Sequence, residues 1–280
     1  MKMVVLFIVF FLSFRVYSQN SPTGSIDYNP KASSVSVVFS DVNVLPDSIL
    51  SLHFETLRIE KCNNLNFNLL FKQLAKKNEL RTLYLRDCNL TSFPKGIAEI
   101  PNLKTLVFES NTLKTIPRRI KKMRLENLDV AMSGIGNLSY RKQNVFFALV
   151  RNLASPSGMY MSLQSNGLDS LPDNFKEINL VGIDISDNNF DQFPQVLCEM
   201  VNKDNLRNIT VDNMQTLLNS SSTLLGIQNR NNRSYVNIFF NCFVDDTLCF
   251  SENDLNYLNN TFSAINFLQK WARTKRFNMR

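Results

Sequence analysis

The chain predicts an α/β fold: a curved solenoid whose parallel strands form a ladder on the concave side, closed at the C-terminus by a helical cap. Three observations predict it. The stretch from Leu80 to Ile120 is written twice in one grammar. Leu80, Leu83, Leu85, Cys88, Leu90, Phe93-Pro94 and Ile97 are matched by Leu103, Leu106, Phe108, Asn111, Leu113, Ile116-Pro117 and Ile120, every pair offset by 23 positions. Inside each copy, Leu83 and Leu85, or Leu106 and Phe108, fall on one face of a short strand, and the residues between them fall on the other. The same spacing recurs in about nine copies over residues 31–250. One copy alone cannot bury its apolar face, so the copies must stack in parallel, each covering the next.

The further copies run in both directions. Leu125, Leu128, Val130, Ser133, Ile135 follows at a step of 22, with Ser where Asn or Cys is usual. Then come Gly158, Met161, Leu163, Asn166, Leu168, Leu171-Pro172, Phe175 and Leu180, Ile183, Ile185, Asn188, Phe190, Phe193-Pro194, Leu197. On the N-terminal side lie Phe54, Leu57, Ile59, Cys62, with Leu65 one place late, and before them Val35, Val37, Ser40, Val42, Leu45-Pro46, Ile49, with Ala32 as a weak first position. Two degenerate copies end the array: Leu206, Ile209, Val211, where Met214 replaces Asn, and Val236, Ile238, Asn241, Phe243. This pattern resembles the leucine-rich-repeat family, whose unit is L-x-x-L-x-L-x-x-N/C-x-L followed by x-x-L-P-x-x-I. The resemblance implies a non-enzymatic module that recognises a protein, or a surface glycan, through its concave face. The alternative is a structural or adhesive spacer at a cell surface.

Residues 1–18 carry Lys2, an apolar run from Met3 to Phe14 and then Val16-Tyr17-Ser18, the order of a secretory signal cleaved after Ser18. A buried first strand is the competing reading. Residues 19–30, polar with Pro22, Gly24 and Pro30, form a linker or cap. Between the second and third copies the step lengthens to 26, and Leu70, Phe71 and Leu74, followed by Lys76 and Lys77, give the stripe of a convex-side helix. A longer insertion, Ser139 to Ser155, carries Val145, Phe146, Leu149, Val150 and Leu153 at helical spacing. It is an enlarged convex helix or a docking helix. Residues 251–280 start a helix at Ser251-Glu252-Asn253-Asp254, continue it through Leu255, Leu258, Phe262, Ile265, Leu268 and Trp271, and end in a basic tail. An amphipathic helix there would cover the open end of the array. The mature chain is expected to be secreted, periplasmic or associated with the cell surface, without a transmembrane segment.

Composition excludes several classes. A hydrophobic content of 44% argues against disorder. The formal charge of +7 falls by two if the signal is removed, and such an excess is a solubility feature more often than a nucleic-acid footprint. The densest basic run, Pro117 to Arg124, includes the repeat's own Pro117-x-x-Ile120 framework. The single His, His53, cannot build a His-based metal site, and no phosphate loop, nucleophile elbow or zinc-spaced Cys pair is present. No cofactor is expected. Calcium on acids such as Asp184 and Asp187 is a minority reading, since no loop concentrates enough oxygens. Cys62 and Cys88 occupy the same position in adjacent copies, about 4.8 Å apart by rung spacing. A bond there is within reach, but two unlinked thiols are favoured, because in the family this position points inward to satisfy turn amides. Cys242 and Cys249 are the candidates for a short-loop disulfide stapling the end of the array, leaving Cys198 unpaired.

The candidate site is read from the residues that alternate outward. The middle column is Ser36, Arg58, Tyr84, Val107, Asp129, Ser162, Asp184, Thr210, Asn237, and its neighbour is Val38, Glu60, Arg86, Glu109, Ala131, Gln164, Ser186, Asp212, Phe239. Arg58, Tyr84 and Arg86 mark the early copies, and Asp129, Asp184 and Asp212 the later ones, so the face is expected to be electrically polarised. Tyr and Arg are frequent interface anchors, which places the centre at Arg58, Tyr84 and Arg86, with Glu109, Asp129, Gln164, Asp184 and Asp212 around it.

Overall fold

A computed structural model describes residues 15–16, 25–38, 42–191, 193–201, 206–211, 237–240, 243–244 and 247–248. Met1 to Phe14 of the expected signal, the expected helix over 251–280, and Asp212, Cys242 and Cys249 lie outside these residues. The chain divides into two compact units, Met1–Asp129 and Val130–Arg280.

In the first unit, β1 (Arg15–Val16) and β2 (Ser25–Asn29) precede five strands that pair in parallel in chain order: β3 (Ser34–Val38), β4 (Thr56–Glu60), β5 (Thr82–Arg86), β6 (Thr105–Val107) and β7 (Asn127–Asp129). Alternation dictates what they bury. Val35, Leu57, Leu83, Leu106 and Leu128 form one inward column and are all at most 1% exposed. The segment expected as a linker or cap holds β2, which pairs antiparallel with β3 and turns Ile26 into the core. A ladder of parallel strands otherwise begins with an open row of backbone donors and acceptors, and an antiparallel strand closes it. Ala32 is therefore an exposed turn residue and not a core position. Asn29 Oδ1 shapes that turn by accepting from the amides of Lys31 and Ala32.

Behind the strands, α1 (Asp47–Leu50) and α2 (Phe67–Leu74) bury Ile49 and then Leu70, Phe71 and Leu74, the stripe that spacing predicts. Asn66 caps α2 by accepting from the Leu69 amide at 3.0 Å. The next two copies use 3₁₀ turns, Lys95–Glu99 and Arg118–Lys122, each entered through a proline.

The second unit opens with a 3₁₀ turn, Ile135–Asn137, and α3 (Tyr140–Val150). It continues with β8 (Met159–Ser162), a 3₁₀ turn at Asp173–Glu177, β9 (Leu180–Asp184), α4 (Gln195–Val201), β10 (Asn208–Val211) and β11 (Asn237–Phe240), then the antiparallel pair β12 (Phe243–Val244) and β13 (Thr247–Leu248). β8 to β11 pair in parallel, with a register shift between Met159 and Tyr160. The buried side of α3 is Gln143, Phe146, Phe147 and Val150, whereas Val145 is 56% exposed. Val145 was expected on the packed stripe. Phe147 takes that role by meeting Phe146 and Phe175 edge to face at 5.0 Å. The last copy is also registered differently. Ile209 pairs with Ile238 and Val211 with Phe240, so Phe239, not Asn237, continues the column of Thr210. A two-residue slip leaves every side chain on the same face, so apolar parity cannot detect it.

The strands β4 to β9 each exit through a left-handed residue, in order Lys61, Asp87, Ser110, Met132, Ser165 and Asp187. The residue after it turns inward. Asn166 shows why Asn suits that place: its Oδ1 accepts from the Ser133 and Ile135 amides at 3.1 Å, and its Nδ2 donates to Val130, Leu163 and Gln164 carbonyls. Asn111 and Asn188 do the same in their own copies. Cys62 and Cys88 are buried free thiols. The Cys88 sulfur also meets the Cys62 and Lys61 backbone amides, as the resemblance implies for this position. A thiol has one hydrogen to give, and Cys88 Sγ sends it toward the Arg86 and Ile59 carbonyls at 3.1 and 3.5 Å, while the Cys88 amide is taken by Asn111. Burial pushes the Cys88 thiol up to about 12.

Candidate functional site

The outward face of the first unit has three columns, because each strand offers three residues on that side. One is a row of hydroxyls, Thr56, Thr82 and Thr105, ending at Asn127, whose Nδ2 donates to Thr105 Oγ1 at 3.1 Å. The next is Ser36, Arg58, Tyr84, Val107 and Asp129, in direct register. The third holds Val38, Glu60 and Arg86, with Glu109 following just beyond β6.

Arg58, Tyr84, Arg86 and Glu109 come together as the alternation predicts. The Arg58 guanidinium lies 3.9 Å from the Tyr84 ring centroid, and that of Arg86 lies 5.5 Å from it. The ring is thus held by two cations, in contacts each worth roughly 0.5–1 kcal/mol at exposed sites. Arg86 is in turn bracketed by carboxylates. Its Nε is 2.7 Å from Glu109 Oε2 and its Nη1 is 3.8 Å from Glu60 Oε1. The Nε–H is not aimed at an acceptor, so the closer contact is an ion pair without hydrogen-bond geometry. Burial raises the Glu109 carboxyl above its ordinary value; Arg86 opposes this, and Asp129 and Glu60 add to the rise. These acids lie among the early copies beside the cations expected there. Glu60 and Glu109 neutralise Arg86 where it stands, so the face is a lattice of matched charges around one ring.

Other predicted positions fare differently. Val107 is only 7% exposed between its neighbours, and Ala131 and Ser186, expected outward, are buried because the strand has ended and the chain has begun to turn. Asp184, on the second unit, is engaged locally: its Oδ1 accepts from the amide and hydroxyl of Ser186 at 2.9 and 2.6 Å. Gln164 is in that unit too, its carbonyl accepting from the Met132 amide at 2.9 Å. Asp129 shares the first unit with the Tyr84 cluster.

Alternation of Leu positions did not single out Tyr160, whose residue is 49% exposed on β8. It is in register with Gly182 and Asn208, and a Cβ placed on Gly182 would lie 2.3 Å from the Tyr160 ring. Asn208 Nδ2 donates to the Tyr160 hydroxyl at 2.9 Å. The signal in the sequence was Gly182 itself, since glycine inside a strand marks close approach by another group. Among the described residues no group of three or more His, Cys, Asp or Glu is placed to hold a metal ion, and no helix is long and apolar enough to cross a membrane.

Parallel rungs, a left-handed exit from β4 to β9 and an inward Asn, Cys or Ser at the turn together define a leucine-rich-repeat fold. A solved structure agrees in fold. Human 5T4, described as Wnt-activated inhibitory factor 1 or trophoblast glycoprotein, superposes with a TM-score of 0.50 at 14% identity, over 75% of this chain and 88% of its own. A chain of the Drosophila Toll–Spatzle complex is similar at a TM-score of 0.48 and 21% identity, over 71% of this chain and 32% of its own. A leucine-rich-repeat protein of Leptospira interrogans gives 0.40 and 15%, over 75% and 62%. This chain thus spans about a third of the length of the Drosophila chain it matches. No protein-family model matches the chain, and no curated protein matches it.

Proposed function

We propose that the chain is a non-enzymatic recognition module that binds a protein partner through the outward strand face of its first unit, centred on Tyr84, Arg58 and Arg86. The observation that carries this is the ring of Tyr84 set between two guanidiniums, that of Arg86 being held in turn by Glu60 and Glu109. A solvated face gains little from such order. A binding face gains more, because side chains already held in one conformation lose less entropy on association. The half-exposed Arg86 and Tyr84 are also of the residue types that dominate binding energy when a partner covers them. Repeat arrays of one grammar bind unrelated ligands, so the partner's identity does not follow from the fold.

The test is a pull-down from culture supernatant with the chain beginning at Gln19, followed by titration of the captured partner. Changing Tyr84 and Arg86 together to Ala should leave the melting curve nearly unchanged and weaken binding by at least about 2 kcal/mol. A partner that ignores both changes but is lost when Arg118, Arg119, Lys121 and Lys122 are neutralised would move the site to the opposite side. Broad retention on whole cells, insensitive to either set, would favour the spacer reading. The proposal includes export: protein from the native host should begin at Gln19, and N-terminal sequencing that returned Met1 would refute it.

A further inference from the structure

The second unit has a depression of about 780 Å³ at the start of β8, β9 and β10, lined among others by Tyr160, Lys176, Glu177, Asn179, Arg207 and Asn208. We infer that it is a saccharide-binding subsite in which a neutral pyranose stacks on the Tyr160 ring. It is separate from the Tyr84 face and does not depend on the reading of that face. Three features converge on this chemistry. The ring is a built platform. Its Cδ1–Cε1 edge lies against Gly182, where any Cβ would collide with it, and its hydroxyl is tied down by Asn208, yet the residue remains 49% exposed. Covering a strand glycine with an aromatic neighbour is a known stabilising device, but here it engages only one edge of the ring. The exposed part of the ring is left to a ligand.

The surroundings are polar and nearly charge-balanced. Lys176 is paired with Glu199 at 2.9 Å, and Glu177 is paired with Arg151. Arg207 is the one further cation among the six residues named. A phosphate or sulfate would want several uncompensated donors, which this arrangement does not supply. A pyranose has what it does supply partners for: an apolar face of axial C–H groups that packs on an aromatic ring, and a rim of hydroxyls that both donate and accept. Glu177, Arg207 and the amides stand at that rim. The volume falls within the range of small-ligand sites and has room for a short oligosaccharide.

The experiment is saturation-transfer NMR on the full chain with methyl β-D-glucopyranoside, methyl β-D-galactopyranoside, methyl α-D-mannopyranoside and N-acetylglucosamine as separate probes. At least one should receive saturation at its ring C–H protons. Tyr160→Ala should reduce that signal at least tenfold, Tyr160→Phe should keep most of it, and Tyr84→Ala should leave it unchanged. The inference is overturned if no probe receives saturation, if Tyr160→Ala has no effect, if Tyr160→Phe is as damaging as Ala, or if Tyr84→Ala removes the signal. Should Tyr160→Ala fail to fold by circular dichroism, Glu177→Gln and Arg207→Gln decide: a fall of at least threefold in one of them sustains the site, and no fall in either overturns it.

Discussion

Replacing Asn166 by Ala removes five hydrogen bonds with one substitution, and the structure says how unequal they are. Two of the lost bonds belong to the buried Ser133 and Ile135 amides, which donate to Oδ1. A buried donor left unsatisfied costs about 1–3 kcal/mol, so this pair alone accounts for roughly 2–6 kcal/mol. The three carbonyls that lose Nδ2 can keep other partners on their second lone pair, and they add less. We expect about 4 kcal/mol in all, a large share of a typical total of roughly 5–15 kcal/mol. Cys88→Ala is the internal comparison, since sulfur is a far weaker acceptor than an amide oxygen and its thiol donates to carbonyls; it should cost about 1–2 kcal/mol. Urea denaturation gives both values, and native-state hydrogen exchange should show the Ser133 and Ile135 amides losing protection in the Asn166 variant. If Asn166→Ala is no more destabilising than Cys88→Ala, or if those two amides stay protected, the account of the turn position is wrong.

Three further outcomes follow from the same geometry. With its thiol pushed up to about 12, Cys88 is thiolate in roughly one molecule in ten thousand at pH 8, so iodoacetamide should leave it unmodified in the native protein and modify it in denaturant; native labelling seen by mass spectrometry would contradict its burial. Gly136→Ala should destabilise by about 2–4 kcal/mol in a denaturant titration, because the new Cβ would lie 2.2 Å from the Gly167 carbonyl oxygen, a backbone atom that cannot swing away. Burial opposes ionisation of Glu79, but its own backbone, the Lys77 ammonium and His53 bring the carboxyl below its ordinary 4.5. A depressed folded value means stability that is complete above about pH 4.5 and lost as pH falls through the folded value, so Glu79→Gln should flatten that acid limb; an unchanged limb would show that other carboxylates carry it.

The repeat framework was legible because it is carried by apolar residues at fixed intervals, and burial leaves few alternatives for Leu57, Leu83, Leu106 and Leu128. The stripe of α2 was legible for the same reason. What escaped had a physical cause in each case. β2 carries one buried residue, Ile26, too little for a periodic signal, and exists because an edge needs covering. The slip of the last copy preserves the face of every side chain. On α3, Phe147 and Gln143 displaced Val145 because Phe147 found two aromatic partners. The Tyr84 cluster could be placed from alternation, but its charge balance could not, since that depends on Glu60 and Glu109 both reaching Arg86. Tyr160 fell outside the two columns that the Leu spacing draws attention to, and only Gly182 pointed to it.

The left-handed exit residues bear on how such a chain can change over time. Lys61, Asp87, Ser110, Met132, Ser165 and Asp187 each hold a conformation that an L-residue with a Cβ adopts at a penalty of about 1–2 kcal/mol, and that glycine adopts freely. Glycine at any of them should raise stability by roughly half a kcal/mol, after allowing for its greater freedom in the unfolded chain. None of the six belongs to an outward strand column. The array therefore holds a dispersed reserve of stabilising mutations that leave the proposed recognition surface untouched. Drawing on one or two of them would let that surface tolerate destabilising changes and wander toward new ligands without the scaffold collapsing.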